Sequence, residues 1–136
     1  MYLTAVLDVE DKKQEDLKIL FPEVESIETV STTIGYWRKA NAIHAWFVHN
    51  VQGGEDDCRL YNVCKDDMNS LLELVNNVIE KKQKPEEALP SMEGFFFGKT
   101  DYDEYYYDDL VHTKTILEHA LKLNESGWRV KYQSSW

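Results

Sequence analysis

Apolar positions along the chain change their spacing several times, and each change predicts an element. The opening run "YLTAVLDV" reads as a strand, the polar stretch "DKKQEDLKIL" as a helix, and "SIETVSTTI" is a β-branched segment. From Tyr36 to Val51 the spacing becomes helical: Tyr36, Ala40, Ile43, Phe47 and Val51 form one stripe, flanked by Trp37, His44 and Val48. The opposite side carries Arg38, Ala42, Ala45 and His49, and two alanines there allow a second surface to approach closely. A helix apolar on so many sides belongs at the centre of a fold.

After Gly53-Gly54 and "EDD", residues Cys58 to Val63 read as a strand. In "KDDMNSLLELVNNVIEKK" a stripe of Met68, Leu71, Leu72, Val75, Val78 and Ile79 then marks a surface helix. Cys64 stands at its cap position and Asp67 where a capping box is completed. In the next helix Tyr106, Leu110, Thr113, Leu117, Ala120 and Leu121 form the buried stripe, Thr100 is the expected cap, and the end falls near Asn124 to Gly127. "WRVKYQSSW" closes the chain as a strand. These elements predict one α+β domain over residues 1–136, a small, mainly antiparallel sheet packed by about three helices.

Composition narrows the function. A chain of 136 residues is long enough for a core without disulfides or metals. The formal charge of −10 disfavours direct nucleic-acid binding and anionic membranes and suits basic protein surfaces. With no basic leader and no long apolar segment, a cytoplasmic location is expected. A strand over Cys58–Cys64 separates the two sulfurs by roughly 20 Å, which predicts free thiols.

The stretch "GFFFGKT" looks at first like a phosphate loop. A Walker loop needs four residues between its glycines, and here only Phe95, Phe96 and Phe97 intervene; the acids that follow would repel a triphosphate. The phenylalanine triplet reads as a short buried strand or core-anchoring loop, and "GKT" as a helix start with Asp101, Asp103 and Glu104 in its first turn. No metal site, cofactor motif or catalytic signature emerges. His44 and His49 are five apart, His112 and His119 two turns apart, and Asp108 with His112 predicts an i, i+4 ion pair.

Two clusters remain. Trp37, Arg38, Lys39, Asn41, His44 and Trp46, with Asp57 or Asp103, bring cations, indoles and hydrogen-bonding groups together, a kit for an anionic planar, nucleotide-like ligand or for a protein partner. The plainer reading puts the aromatics in the core and pairs Arg38 and Lys39 with the nearby acids. The second cluster, Asp101, Tyr102, Asp103, Glu104, Tyr105, Asp108 and Asp109, mixes carboxylates with tyrosines, which give large contact area at low entropic cost.

"GYWRKANAIHAWFV", "DDC", "GFFFG", "YDEYYYDDL" and the terminal "WRVKYQSSW" together resemble a family of small acidic proteins encoded by bacteriophages and prophages, over roughly Gly35 to the end. Cys64, where a serine cap is expected in that family, and Lys99 depart from it. The resemblance implies an accessory phage protein acting in the bacterial cytoplasm and transfers no functional residue. The expectation is therefore a non-enzymatic protein that binds and modulates, by inhibition for example, a host or anti-phage defence protein with a basic surface. The alternative is a binder of, or an enzyme acting on, a small nucleotide-like molecule through the Trp37–His44 helix. Oligomeric state is not legible, although Trp136 at the end of the chain suggests an interface.

Overall fold

The computed structural model describes residues 1–93 and 100–135. In chain order its elements are β1 (Tyr2–Asp8), α1 (Asp11–Leu20), β2 (Thr29–Tyr36), α2 (Asn41–Asn50), β3 (Tyr61–Val63), α3 (Lys65–Ile79), the single turn α4 (Pro85–Ala88), α5 (Glu104–Glu125) and β4 (Arg129–Gln133). The strands form one antiparallel sheet in the order β2-β1-β4-β3. The expected α+β class holds, with the three predicted helices present and α1 and α4 beside them.

Strand alternation decides which face is covered. Leu3 and Ala5 of β1, Val130 and Tyr132 of β4 and Val63 of β3 are buried on the helical side. Tyr2, Asp8, Ser31, Thr33, Asn62, Arg129 and Gln133 are exposed. One face of the sheet is thus covered by helices, and the other is polar and open. Gly35 shows how tightly that inner face is packed: a Cβ there would meet the Ile116 side chain of α5 at 2.5 Å, so α5 crosses β2 where no side chain stands in the way.

α3 packs along α5, and its stripe of Met68, Leu71, Val75 and Val78 is at most 1% exposed. Each such side chain contributes roughly 1.5–3 kcal/mol by leaving water. The Cys64 cap and its reciprocal box with Asp67 are formed as expected. α2 sits at the heart of the core, with eight of its ten residues, Asn41 through Val48, buried. Phe47 stacks on Tyr132 at 3.9 Å between ring centroids and joins α2 to the sheet.

Three boundaries differ from the expected ones. The central helix begins at Asn41 and not Tyr36, because Tyr36 ends β2 and Trp37 pairs its backbone with Met1, after which Lys39 takes a left-handed φ of 61°. The strand expected from Cys58 is confined to Tyr61–Val63. Cys58 has a φ of 59°, and the Asp57 carboxylate accepts from the Arg59 backbone N–H, which makes a turn; both cysteines are nonetheless free. The cap of α5 is Asp103, whose carboxylate accepts from the Tyr106 N–H at 3.2 Å; Thr100 lies three residues upstream. A carboxylate at that position both caps and neutralises the helix dipole.

α1 stands apart. None of its described side chains is buried, it packs on no other element to any extent, and the reciprocal bonds between the Gln14 amide and the Ile27 backbone tie it down. The Phe95–Phe97 triplet, Lys99 and Trp136 lie outside the described residues. No helix among the described residues is long and apolar enough to cross a membrane.

Candidate functional site

Of the two clusters singled out in the sequence, the one around α2 is largely turned inward. Trp37 is 1% exposed, and its indole N–H donates to Thr113 Oγ1 at 2.8 Å; the Thr113 hydroxyl donates in turn to the Asp109 carbonyl at 2.6 Å. Phe47 and His112 flank the indole ring, so no stacking face is left for a ligand. Trp46 is buried against Phe47 as well.

His44 is also buried, and it is bonded at both ring nitrogens, Nδ1 to the Tyr132 hydroxyl at 2.7 Å and Nε2 to Asp56 Oδ2 at 2.9 Å. The other Asp56 oxygen accepts from Ser134 Oγ at 3.2 Å. With Asp56 ionised, Nε2 carries the hydrogen and Nδ1 accepts the tyrosine proton. Burial, reinforced by the Asp56 charge and by Cys58, pushes the Tyr132 hydroxyl well above its usual range and keeps it a neutral donor. The chain Ser134–Asp56–His44–Tyr132 ties α2, the loop after it and β4 together. Sequence reasoning missed it, since its members are scattered over ninety-one positions of chain and only the inward register of Tyr132 hints at a partner.

Asn41 serves as a staple. Its amide donates to the Met92 carbonyl at 2.8 Å and accepts the Met92 N–H at 2.7 Å, fixing the segment after α4 to the start of α2. Asp57 belongs to a separate surface group with Arg59 and the Tyr61 hydroxyl. Desolvation pushes its carboxyl up, but the Arg59 backbone N–H, the Arg59 side chain and Tyr61 outweigh it and hold the group below its usual range. The structure therefore does not assemble Trp37, Asn41, His44 and Asp57 into one ligand site.

Arg38 and Lys39 are different. Both are exposed, and among the described residues neither forms an ion pair, contrary to the expected pairing with nearby acids. They stand on the rim of a cleft of about 680 Å³ whose other wall is the start of α5: Asp101, Asp103, Tyr105, Tyr106, Asp108 and Asp109. Asn41 and Ser91 also line it.

The second cluster accordingly shares one concavity. Asp103 holds the cap of α5; Tyr106 is buried, donating its hydroxyl to the Leu89 carbonyl at 2.9 Å, and burial pushes its hydroxyl far above the usual range. Tyr102 packs edge-on against Tyr106, and its hydroxyl accepts from the Ser91 N–H at 3.2 Å. Tyr105 is 71% exposed; Glu104 is exposed too, outside the cleft lining. Asp109 is half-buried. Burial raises its carboxyl to about 6, with Asp108 and Asp103 adding to the rise and His112 opposing it. The predicted Asp108–His112 ion pair is not formed: His112 Nε2 donates to the Tyr36 carbonyl at 3.0 Å, tying α5 to the end of β2.

Chemically, the cleft offers a wall of carboxylates and tyrosine rings opposite two cations. It suits basic groups and extended contact area. Among the described residues no group of three His, Cys, Asp or Glu side chains is placed to hold a metal ion. Compared with protein families, curated proteins and solved structures, the chain finds no match.

Proposed function

We propose that the chain is a non-enzymatic binding protein that attaches to a basic surface of another protein through the acidic, tyrosine-rich first half of α5 and modulates that protein. In the phage or prophage setting its sequence resembles, the target is a host or defence protein. The observation that carries the reading is Tyr105, 71% exposed and standing among Asp101, Asp103, Asp108 and Asp109 on the wall of a cleft. An exposed aromatic ring amid carboxylates is costly to leave in water and well placed to anchor an arginine- or lysine-rich surface. The overall charge of −10 adds long-range steering toward such a surface.

The test is affinity capture of the tagged protein from bacterial lysate, washed at low and then high salt, alongside a variant carrying Asp101→Asn, Tyr105→Ala and Asp108→Asn. A stoichiometric partner released by salt and absent from the variant is expected. A partner that the variant retains in full would sink the reading.

A second reading has one observation in its favour. The cleft volume lies in the range of small-molecule sites, and Arg38 and Lys39 line it without ion-pair partners among the described residues. Facing four carboxylates, a ligand there has to carry both signs of charge. A thermal-shift series with nucleotides and zwitterionic metabolites distinguishes the two readings, since the protein-binding reading expects no stabilisation by any of them.

A further inference from the structure

The two edges of the sheet are built differently. β3 is three residues long and flanked by the charged side chains of Arg59 and Lys65, the usual way of blunting an edge. β2 is eight residues long, "TVSTTIGY", with neither a charge nor a proline, and it is the outermost strand on its side. An edge strand directs half of its backbone N–H and C=O groups away from the sheet, and α1 does not pack over β2. The pairing with β1 is regular from Thr29 to Thr33 and shifts at Ile34, where β2 carries one extra residue.

Charge on either side of this strand is polarised. Glu23, Glu25 and Glu28 precede it and Arg38 and Lys39 follow it. Exposed large apolar side chains also flank it: Ile19, Leu20 and Phe21, at 79%, 71% and 52% exposure, lie on the approach, and Tyr36 lies at the end. An extended segment of this design is complementary to itself in the antiparallel sense.

We propose that the β2 edge is a docking surface for a second copy of this chain, joining two four-stranded sheets into one eight-stranded sheet across a two-fold axis. With Ser31 on the axis, Thr29 of each copy lies opposite Thr33 of the other, within the regular stretch and in matching hydrogen-bond register. That arrangement runs the acidic approach of each copy alongside the Arg38-Lys39 corner of the other. Each copy carries a net charge of −10, so undirected approach is repulsive, and the opposite-sign match at the two ends selects this register. A parallel pairing would set acids beside acids.

Sedimentation equilibrium from micromolar to millimolar protein reads the outcome, with hydrogen exchange of the β2 amides on the same samples. A monomer–dimer equilibrium with β2 protection rising with concentration is expected. Ser31 is exposed on the open face, so Ser31→Lys keeps the fold, as circular dichroism would verify. It places two like charges across the axis and weakens the dimer by on the order of tenfold or more. Arg38→Glu with Lys39→Glu weakens it as well, and adding Glu23→Lys with Glu25→Lys to that same chain restores it. A chain that stays monomeric throughout the range overturns the proposal. So does a dimer indifferent to Ser31→Lys and to the charge exchange, or a β2 edge protected only when a different protein is bound. Because Ser31 is absent from the α5 cleft, loss of dimer in Ser31→Lys with partner capture intact separates this proposal from the binding role of α5.

Discussion

The residues from Trp37 to His44 and those from Asp101 to Asp109 look equally chemical in the sequence, and the fold treats them in opposite ways. Around α2 the aromatic and imidazole groups are buried and every one of their nitrogens is occupied: the Trp37 indole by Thr113, His44 by Tyr132 and Asp56. Along the start of α5 the tyrosines and carboxylates are spread over the wall of a cleft, with Tyr105, Asp101 and Asp108 exposed. The same residue types thus serve stability in one place and are left free to contact a partner in the other. What separates them is the satisfaction of hydrogen bonds under burial, which residue identity alone does not reveal.

The largest effect comes from attacking the buried member of the pair. Trp37→Ala removes a fully buried indole, leaves Thr113 short of a donor and opens a cavity beside Phe47; a loss of about 3–5 kcal/mol is expected. His44→Ala strands the Tyr132 hydroxyl and Asp56 together and costs on the order of 3 kcal/mol. Urea denaturation monitored by tryptophan fluorescence and circular dichroism measures both. If either variant kept wild-type stability, that side chain would have no structural duty, and a ligand-binding role for the α2 cluster would be open again.

Where local rules decide an outcome, the sequence was legible. The alternation in β1 and β4, the stripe of α3, its Cys64–Asp67 box and the burial of Tyr106, Leu110 and Leu117 all follow from spacing. Errors arose where a tertiary contact overrides a continuous pattern. Tyr36 and Ala40 fit the helical stripe of α2, but pairing of the Trp37 backbone with Met1 extends the sheet edge and delays the helix to Asn41. The cleft itself was half legible. Its carboxylate wall lies within nine consecutive residues, but the facing of Arg38 and Lys39 onto it depends on a contact between segments more than sixty positions apart. The Asn41–Met92 staple and the His44 chain have no local signature at all.

A smaller effect sharpens the comparison at the border between core and cleft. Asp109 lines the cleft but is half-buried, and its carboxyl titrates at about 6, whereas an unfolded aspartate titrates near about 3.9. A raised value means that the folded chain holds the proton longer than the unfolded one. Stability is therefore full below the lower value and falls as pH rises through the upper one. Asp109→Asn, which keeps the shape and removes the charge, is expected to leave stability unchanged near pH 4 and to raise it at neutral pH by on the order of 1 kcal/mol, after allowance for solvent screening. Thermal unfolding of both proteins across that range checks the sign. An asparagine variant less stable than wild type at neutral pH would mean that the ionised carboxylate has a favourable partner, and Asp109 would then belong with the satisfied groups of the core.

The smallest effect on stability is predicted at Tyr105, where the effect on binding should be greatest. Its ring is 71% exposed on the second residue of α5, and alanine is the better helix former by about 0.5 kcal/mol, so Tyr105→Ala should unfold at the wild-type midpoint or slightly above it. A partner that anchors on the ring loses a contact worth on the order of 2 kcal/mol, which reads as a roughly thirtyfold weaker complex. Stability and binding are thereby moved in different directions by one substitution, the reverse of what Trp37→Ala does. Titration of the variant against a captured partner, with the unfolding midpoint taken on the same preparation, gives both numbers. Full binding by Tyr105→Ala would leave the acids of α5 as a solvated helix start and remove the physical basis for assigning that surface to a partner.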